Sequence, residues 1–204
     1  MKFLLATKNE HKIREMNRIL EPLGILVIGE KDCGVALPEV EETGTTFAEN
    51  ARLKAMSACR ASGLPSIADD SGLCIDGLNG APGVYSARFA GDGHDDKANI
   101  DKVLRLLSAL PPGDPGRNGR FVCSICCCFP DGRELTETGV CEGRIATECH
   151  GDNGFGYDPI FLCGDTSFAE MDGERKDAVS HRGKALRAFA RALQEWMGDT
   201  HVDR

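Results

Sequence analysis

GRFVCSICCCFPDGRELTETGVCEG, residues 119–143, is the stretch that decides the fold class. Two long alternating segments, Gly119–Phe129 and Glu134–Gly143, flank Pro130-Asp131-Gly132-Arg133, a run with the chemistry of a β-turn. The pattern predicts a hairpin, and so antiparallel pairing in at least one part of a sheet. Whether that sheet stands alone or carries helices is decided by the segments around it.

Upstream, strand and helix signals alternate. KFLLA at 2–6 reads as a short buried strand, and from Asn9 onward Ile13, Met16, Ile19 and Leu20 recur at helical spacing until Pro22 and Gly24. ILVIG at 25–29 is a second strand. The acidic loop LPEVEETGTT at 37–46 follows, and its Thr45 and Thr46 can cap a helix from about Phe47 to Ala61. PSIADDSGLCIDGL at 65–78 reads as an apolar strand ending in two adjacent carboxylates and a Ser-Gly turn. A helix is expected from Asp95 to Leu110, with Ile100, Val103, Leu104 and Leu107 on one face, and the loop PPGDPGRNG at 111–119 marks the expected hinge or lobe boundary. A last helix runs from about His181 to Met197, with Ser180 as candidate N-cap and Leu186, Phe189, Leu193 and Trp196 or Met197 on its buried stripe. Alternation early and a hairpin later make the class α/β with a mixed central sheet flanked by helices.

The chain has 204 residues, 41% of them hydrophobic and 27% charged, enough for one domain over 1–204 to bury a core without disulfides. A net charge of -8, with Lys and Arg spread along the chain, argues against a broad grip on a nucleic-acid backbone. The opening MKFLLATKNEHK holds only a short apolar run, and no later stretch approaches a membrane span, so a cytoplasmic protein without membrane attachment is expected. Of the ten cysteines, Cys123, Cys126, Cys127 and Cys128 contain a CxxC spacing. No second CxxC or nearby CxxH completes a four-ligand set, and a strand sends successive side chains to opposite faces, so cysteine here reads as a small buried hydrophobe. A zinc or thiol-redox protein is the alternative.

Four polar clusters carry candidate chemistry. Thr7, Asn9 and Lys12 form a TxNxxK pattern where a strand gives way to a helix, a setting that suits a polyphosphate. Asn9 equally reads as an ordinary N-cap and Lys12 as a surface lysine. Asp69-Asp70-Ser71-Gly72 places two carboxylates side by side, which repel unless a cation joins them, and a divalent ion would do so. Magnesium needs one or two carboxylates plus substrate phosphates, and Glu42 is a plausible third acid. The plain reading is a turn with both aspartates solvated. GDNGFGYDP at 151–159 packs glycines around Phe155 and Tyr157, suited to close backbone approach and to stacking on a base, or simply a tight turn with two core aromatics. Lys176 and Ser180-His181-Arg182 put cations near a helix start, where an anion or a base carbonyl would justify them.

ATKNEHK, EETGTTFAENARLKA, IADDSGL, GAPGVYSARFAG, GFGYDPIF and AVSHRGKAL, in this order, closely resemble the inosine triphosphate pyrophosphatase family, over essentially the whole chain. The resemblance implies a mixed α/β protein with two lobes around a long cleft, usually a homodimer. The implied activity is Mg2+-dependent hydrolysis of non-standard purine nucleotides (ITP, dITP, XTP) to monophosphate and pyrophosphate, which cleanses the nucleotide pool. It implies that Thr7, Lys8, Asn9, Glu10, His11 and Lys12 bind the triphosphate, with Lys54 a further candidate. Glu42 and Asp70 would hold magnesium, Asp70 would accept the proton of the attacking water, and Asp69 would support metal or water. Ser71, Phe155, Gly156, Tyr157, Asp158, Lys176, His181 and Arg182 match substrate-binding positions. Lys8 stands where some members carry glycine, which bears on the local loop shape, and the cysteine-rich strand is not a family signature. A nucleotide-sensing module that binds without hydrolysis is the alternative from another class. The clustered acids oppose it, because carboxylates beside a polyanion gain nothing without a metal between them. Within enzymes, the alternative is a phosphatase that releases orthophosphate.

Overall fold

The computed structural model describes residues 2–199, and the side chains of 2–196. Among the described residues the strands are β1 (Lys2–Leu5), β2 (Leu26–Ile28), β3 (Ser66–Ile75), β4 (Asn118–Cys128), β5 (Glu134–Ile145), β6 (Phe161–Cys163) and β7 (Thr166–Ser167). The helices are α1 (Glu10–Leu20), α2 (Glu30–Cys33), α3 (Phe47–Ser62), α4 (Asp96–Leu106), α5 (Gly173–Val179) and α6 (His181–Asp199). The strands form one sheet in the order β2-β1-β3-β4-β5-β6-β7. β1 pairs in parallel with β2 and β3, with Phe3 opposite Val27 and Leu5 opposite Ile67, whereas β6 is antiparallel to β5 and β7. The sheet is therefore mixed, and β4 and β5 are joined by the expected turn, closed by Gly132 N–H on Phe129 O and Phe129 N–H on Arg133 O.

Local chemistry sets the element ends. Asn9 caps α1 through its side-chain oxygen, and Thr46 and Glu49 form a reciprocal capping box on α3. Three expectations fail. β3 does not end at the aspartates but runs on through Asp69, Asp70, Ser71 and Gly72 to Ile75, because cations from other elements neutralise the buried carboxylates. The 111–119 loop is no boundary either. Within it Arg117, 2% exposed, donates to the carbonyls of Leu107, Leu110 and Ala146 at 2.8, 2.9 and 3.0 Å, which pins the loop to its own surroundings. The helix before it also stops at Leu106 rather than Leu110.

By contacts the chain divides into two compact units, and the divisions fall inside β3, β4 and β5 and between His181 and Arg182. Among the described residues, unit 1 holds 2–70, 123–139 and 182–199. Its main core gathers Phe3, Leu5, Met16 and Leu20 with Ile125, Leu186, Phe189 and Leu193. The cysteine strand serves both faces of the sheet there. Cys123, Ile125 and Cys127 join the main core, while Cys126 and Cys128 lie against Ala51, Ala55 and Cys59 of α3, a helix face of small residues. Trp196 packs against Phe129 with ring centroids 4.5 Å apart and planes tilted by 34°; the side chain of Met197 lies outside the described residues. Unit 2 holds residues 71–122 and 140–181, with a core of Leu73, Ile75, Val103, Leu107, Phe121, Tyr157, Phe161 and Phe168. No helix among the described residues is long and apolar enough to cross a membrane.

Candidate active site

In unit 1 the polar groups centre on the two aspartates of β3. Their neighbours along the strand alternate across the sheet, so Asp69 and Asp70 point to different partners. Asp69, 2% exposed, accepts from Lys12 Nζ at 2.9 Å and from Arg182 at 3.3 Å, and Arg182 in turn is ion-paired with Glu15 of α1. Asp70 accepts from Lys54 Nζ at 3.1 Å and from Asn50 Nδ2 at 3.3 Å. The same Lys54 ammonium lies 2.8 Å from Glu42 Oε1. Asn50 also accepts the Gly44 N–H at 2.8 Å, and a Cβ at Gly44 would sit 2.6 Å from the Asn50 oxygen, so a glycine is needed to bring the Glu42 loop against α3.

The two adjacent carboxyls are driven in opposite directions. Burial alone would raise Asp69, but Lys12, Arg182 and Lys54 outweigh it and hold the group well below the usual carboxylate range. Asp70 moves upward, chiefly through burial, with Glu42 adding repulsion against the pull of Lys54. Burial works against the Lys54 ammonium, yet Asp70, Asp69 and Glu42 more than compensate and raise it. Neighbouring carboxyls with separated affinities can divide labour: Asp69 suits a permanently ionised anchor, and Asp70 suits a base.

Glu42 and Asp70 present hard oxygen donors to one cationic position. Among the described residues no group of three or more His, Cys, Asp or Glu side chains is arranged to hold a metal, so the protein offers a pair of carboxylates rather than a closed cage. That donor set fits magnesium, which keeps waters and takes substrate phosphate oxygens to complete its shell.

The TxNxxK segment is more occupied than its sequence suggests. Thr7 Oγ1 accepts the Asn9 N–H at 3.2 Å, and Asn9 Oδ1 accepts from His11 and Lys12 N–H at 3.0 and 3.1 Å, so Asn9 is the helix cap. Lys8, Glu10 and His11 are exposed, with His11 hydrogen-bonded to Arg14. Lys12 is no solvated surface lysine, being drawn inward to Asp69.

In unit 2 the GFGYDP loop is built around Asp158, 3% exposed. Its Oδ2 accepts the Phe155 N–H at 2.9 Å and Lys176 Nζ at 2.7 Å, and that ammonium lies 4.9 Å from the Phe155 ring centroid. Gly154 has φ +80°, and a Cβ there would meet Asp158 Oδ2 at 2.0 Å. Tyr157 is a core residue whose hydroxyl donates to Ser86 O at 2.8 Å, whereas Phe155 stays half-exposed. His181 is buried and stacked on Phe121, centroids 4.6 Å apart and planes within 11°. Ser71 is half-buried beside the aspartates in the chain. Glu15 and Asn50 escaped the sequence reading. An acid next to Met16 on the inward stripe of α1 was the available signal for Glu15; an amide buried in α3 gives none.

The Ham1 family matches residues 3–192. A dITP/XTP pyrophosphatase of Desulforamulus reducens is 49% identical over 92% of this chain and 92% of its own. Among solved structures, a HAM1 protein from Coxiella burnetii is 43% identical with a TM-score of 0.85, covering 96% of this chain and 99% of the other. The Mycobacterium abscessus nucleoside-triphosphatase, or dITP/XTP pyrophosphatase, is 44% identical with a TM-score of 0.74, covering 92% and 97%.

Proposed function

Because this chain belongs to the Ham1 family, we propose that it hydrolyses non-standard purine nucleoside triphosphates, ITP, dITP and XTP, to the monophosphate and pyrophosphate, with magnesium as cofactor. The observation that carries the reading is the convergence of Glu42 and Asp70 on Lys54, beside Asp69 and Lys12. Acids and ammonium groups interleaved at one place suit a metal–triphosphate unit. The Desulforamulus reducens relative, a dITP/XTP pyrophosphatase, supports the same chemistry.

Glu42 and Asp70 would hold the ion. Bound magnesium supplies charge neutralisation of the phosphates and a more acidic water. Asp70, raised by burial, accepts the proton of the attacking water, and Asp69 keeps Lys12 and Arg182 fixed around it. Lys12 and Lys54, with the Thr7–Lys12 segment, hold the departing polyphosphate as one unit. Within unit 2, Phe155 gives the purine a stacking face, and His181 supplies a donor for the 6-oxo group of hypoxanthine and xanthine, which adenine replaces with a donor. Leaving one buried polar group unpaired costs roughly 1–3 kcal/mol, about fivefold to 150-fold in efficiency. Each unit is assembled from non-contiguous segments, which supports one catalytic domain over 1–204 rather than two independent ones. The reading includes a cytoplasmic homodimer, which light scattering on the purified chain would test. Measuring kcat/KM for ITP, XTP, GTP and ATP tests the substrate class: ITP and XTP should lead, and equal use of ATP would sink the assignment.

A further inference from the structure

The loop that carries Phe155 is held by two acids, and only one of them lies within its motif. Successive N–H groups, of Phe155 and Gly156, each meet a carboxylate: Asp158 Oδ2 at 2.9 Å for the first, and Asp96 Oδ2 at 2.7 Å for the second. Asp96 belongs to the first turn of α4, far away in sequence. Capping that helix is not its task, because Asp95 already accepts the Ala98 N–H at 3.0 Å. Its carboxylate instead reaches a glycine with φ +59°, whose backbone has few steric walls of its own.

The start of α4 is itself well fastened. Asn99, 2% exposed, accepts the Ala90 N–H at 2.7 Å and donates to Ala87 O at 3.2 Å. The adjoining turn at Gly83–Arg88 takes the Tyr157 hydroxyl on Ser86 O, and Ser86 Oγ accepts the Leu73 N–H at 2.9 Å. Asp96 thus hangs a glycine-rich turn, with φ positive at both Gly154 and Gly156, on a rigid frame. Phe155 sits between those two glycines, and its ring, with Lys176 close by, is the half-exposed face of the loop.

We propose that Asp96 is a positioning residue for base recognition: by accepting the Gly156 N–H it fixes the turn that sets the orientation of the Phe155 ring, and so tunes affinity for the purine rather than the chemical step. The inference rests on Phe155 being the base platform. A hydrogen bond of this kind contributes about 0.5–1.5 kcal/mol net, so its loss converts to roughly twofold to twelvefold in affinity.

Three readouts test it. Asp96→Ala should raise KM for ITP by about twofold to twelvefold with kcat nearly unchanged. It should weaken binding of IMP by a similar factor and leave binding of inorganic pyrophosphate unaltered. Asp96→Asn, which keeps an acceptor oxygen, should restore most of the wild-type KM. An unchanged KM in folded Asp96→Ala, a fall confined to kcat, or equal weakening of IMP and pyrophosphate would overturn the proposal. If Asp96→Ala does not fold, Asp96→Ser, whose side chain is too short to reach the loop, is read in its place by the same criteria. Wild-type enzyme unable to convert ITP would instead defeat the underlying function, a result distinguishable from any of these.

Discussion

Replacing Arg182 with Met removes the cation that lies between two buried carboxylates, Glu15 at 7% and Asp69 at 2% exposure, while keeping an unbranched side chain in α6. At an effective dielectric near 20, the 3.3 Å contact with Asp69 alone represents about 5 kcal/mol of Coulomb energy. Desolvation of the ions offsets much of this, but breaking a buried pair from one side leaves uncompensated charge and costs about 3–5 kcal/mol. Asp69 keeps Lys12, which points to the lower end, about 3 kcal/mol, or roughly 6–12 °C in Tm for a chain of this size. The sign of the pH dependence follows. Removing Arg182 takes away one of the cations that hold Asp69 low, so its folded-state proton affinity rises, and the penalty is full at neutral pH and relieved as pH falls toward the carboxylate range. Wild type behaves oppositely, since Asp69 is held low and contributes stability that is lost on acidification. Urea unfolding followed by far-UV circular dichroism, from pH 7 to about pH 4.5, should show the gap between the two proteins narrowing. Adding Glu15→Gln to the variant should recover about 1–2 kcal/mol at pH 7. A loss under about 1 kcal/mol at pH 7, or a gap independent of pH, would refute the view of Arg182 as the counter-ion of a buried acid pair.

Asp70→Asn keeps shape but removes basicity, and should lower kcat by about 100-fold to 10,000-fold in a protein that still folds; a near-normal rate would mean that another carboxylate takes the proton. Thiol labelling should separate the cysteines by burial: exposed Cys149 reacts with a disulfide reagent in the native state, while Cys123, pushed up to about 12 mainly by burial, and Cys127, also raised by burial, react only on unfolding. Peptide mapping of the labelled sites checks this.

What the sequence disclosed depended on how local the cause was. Asn9 capping α1, Thr46 capping α3, the 130–133 turn and the stripe of α6 all rest on neighbours a few residues away, and each was legible. Asp69-Asp70-Ser71-Gly72 looked like the end of a strand because those residue types are poor strand formers. The strand continues because Lys12, Lys54 and Arg182, each remote in sequence, neutralise it. The 111–119 loop has the composition of a hinge, and nothing local reveals that Arg117 ties it down through backbone carbonyls. In the candidate site, residue types and their order announced Glu42, Asp70, Lys54 and the GFGYDP loop. The partners that orient them, Glu15, Asn50 and Asp96, carry no motif of their own.

The most direct test of the pyrophosphatase assignment is the identity of the first products from ITP. Purified protein is incubated with ITP and magnesium, freed of contaminating phosphatase, and early time points are resolved by 31P NMR or anion exchange. IMP and pyrophosphate are expected in equal amounts from the earliest point, with no turnover after exhaustive chelation until magnesium is restored. IDP and orthophosphate as primary products, or full activity without a divalent ion, would contradict it.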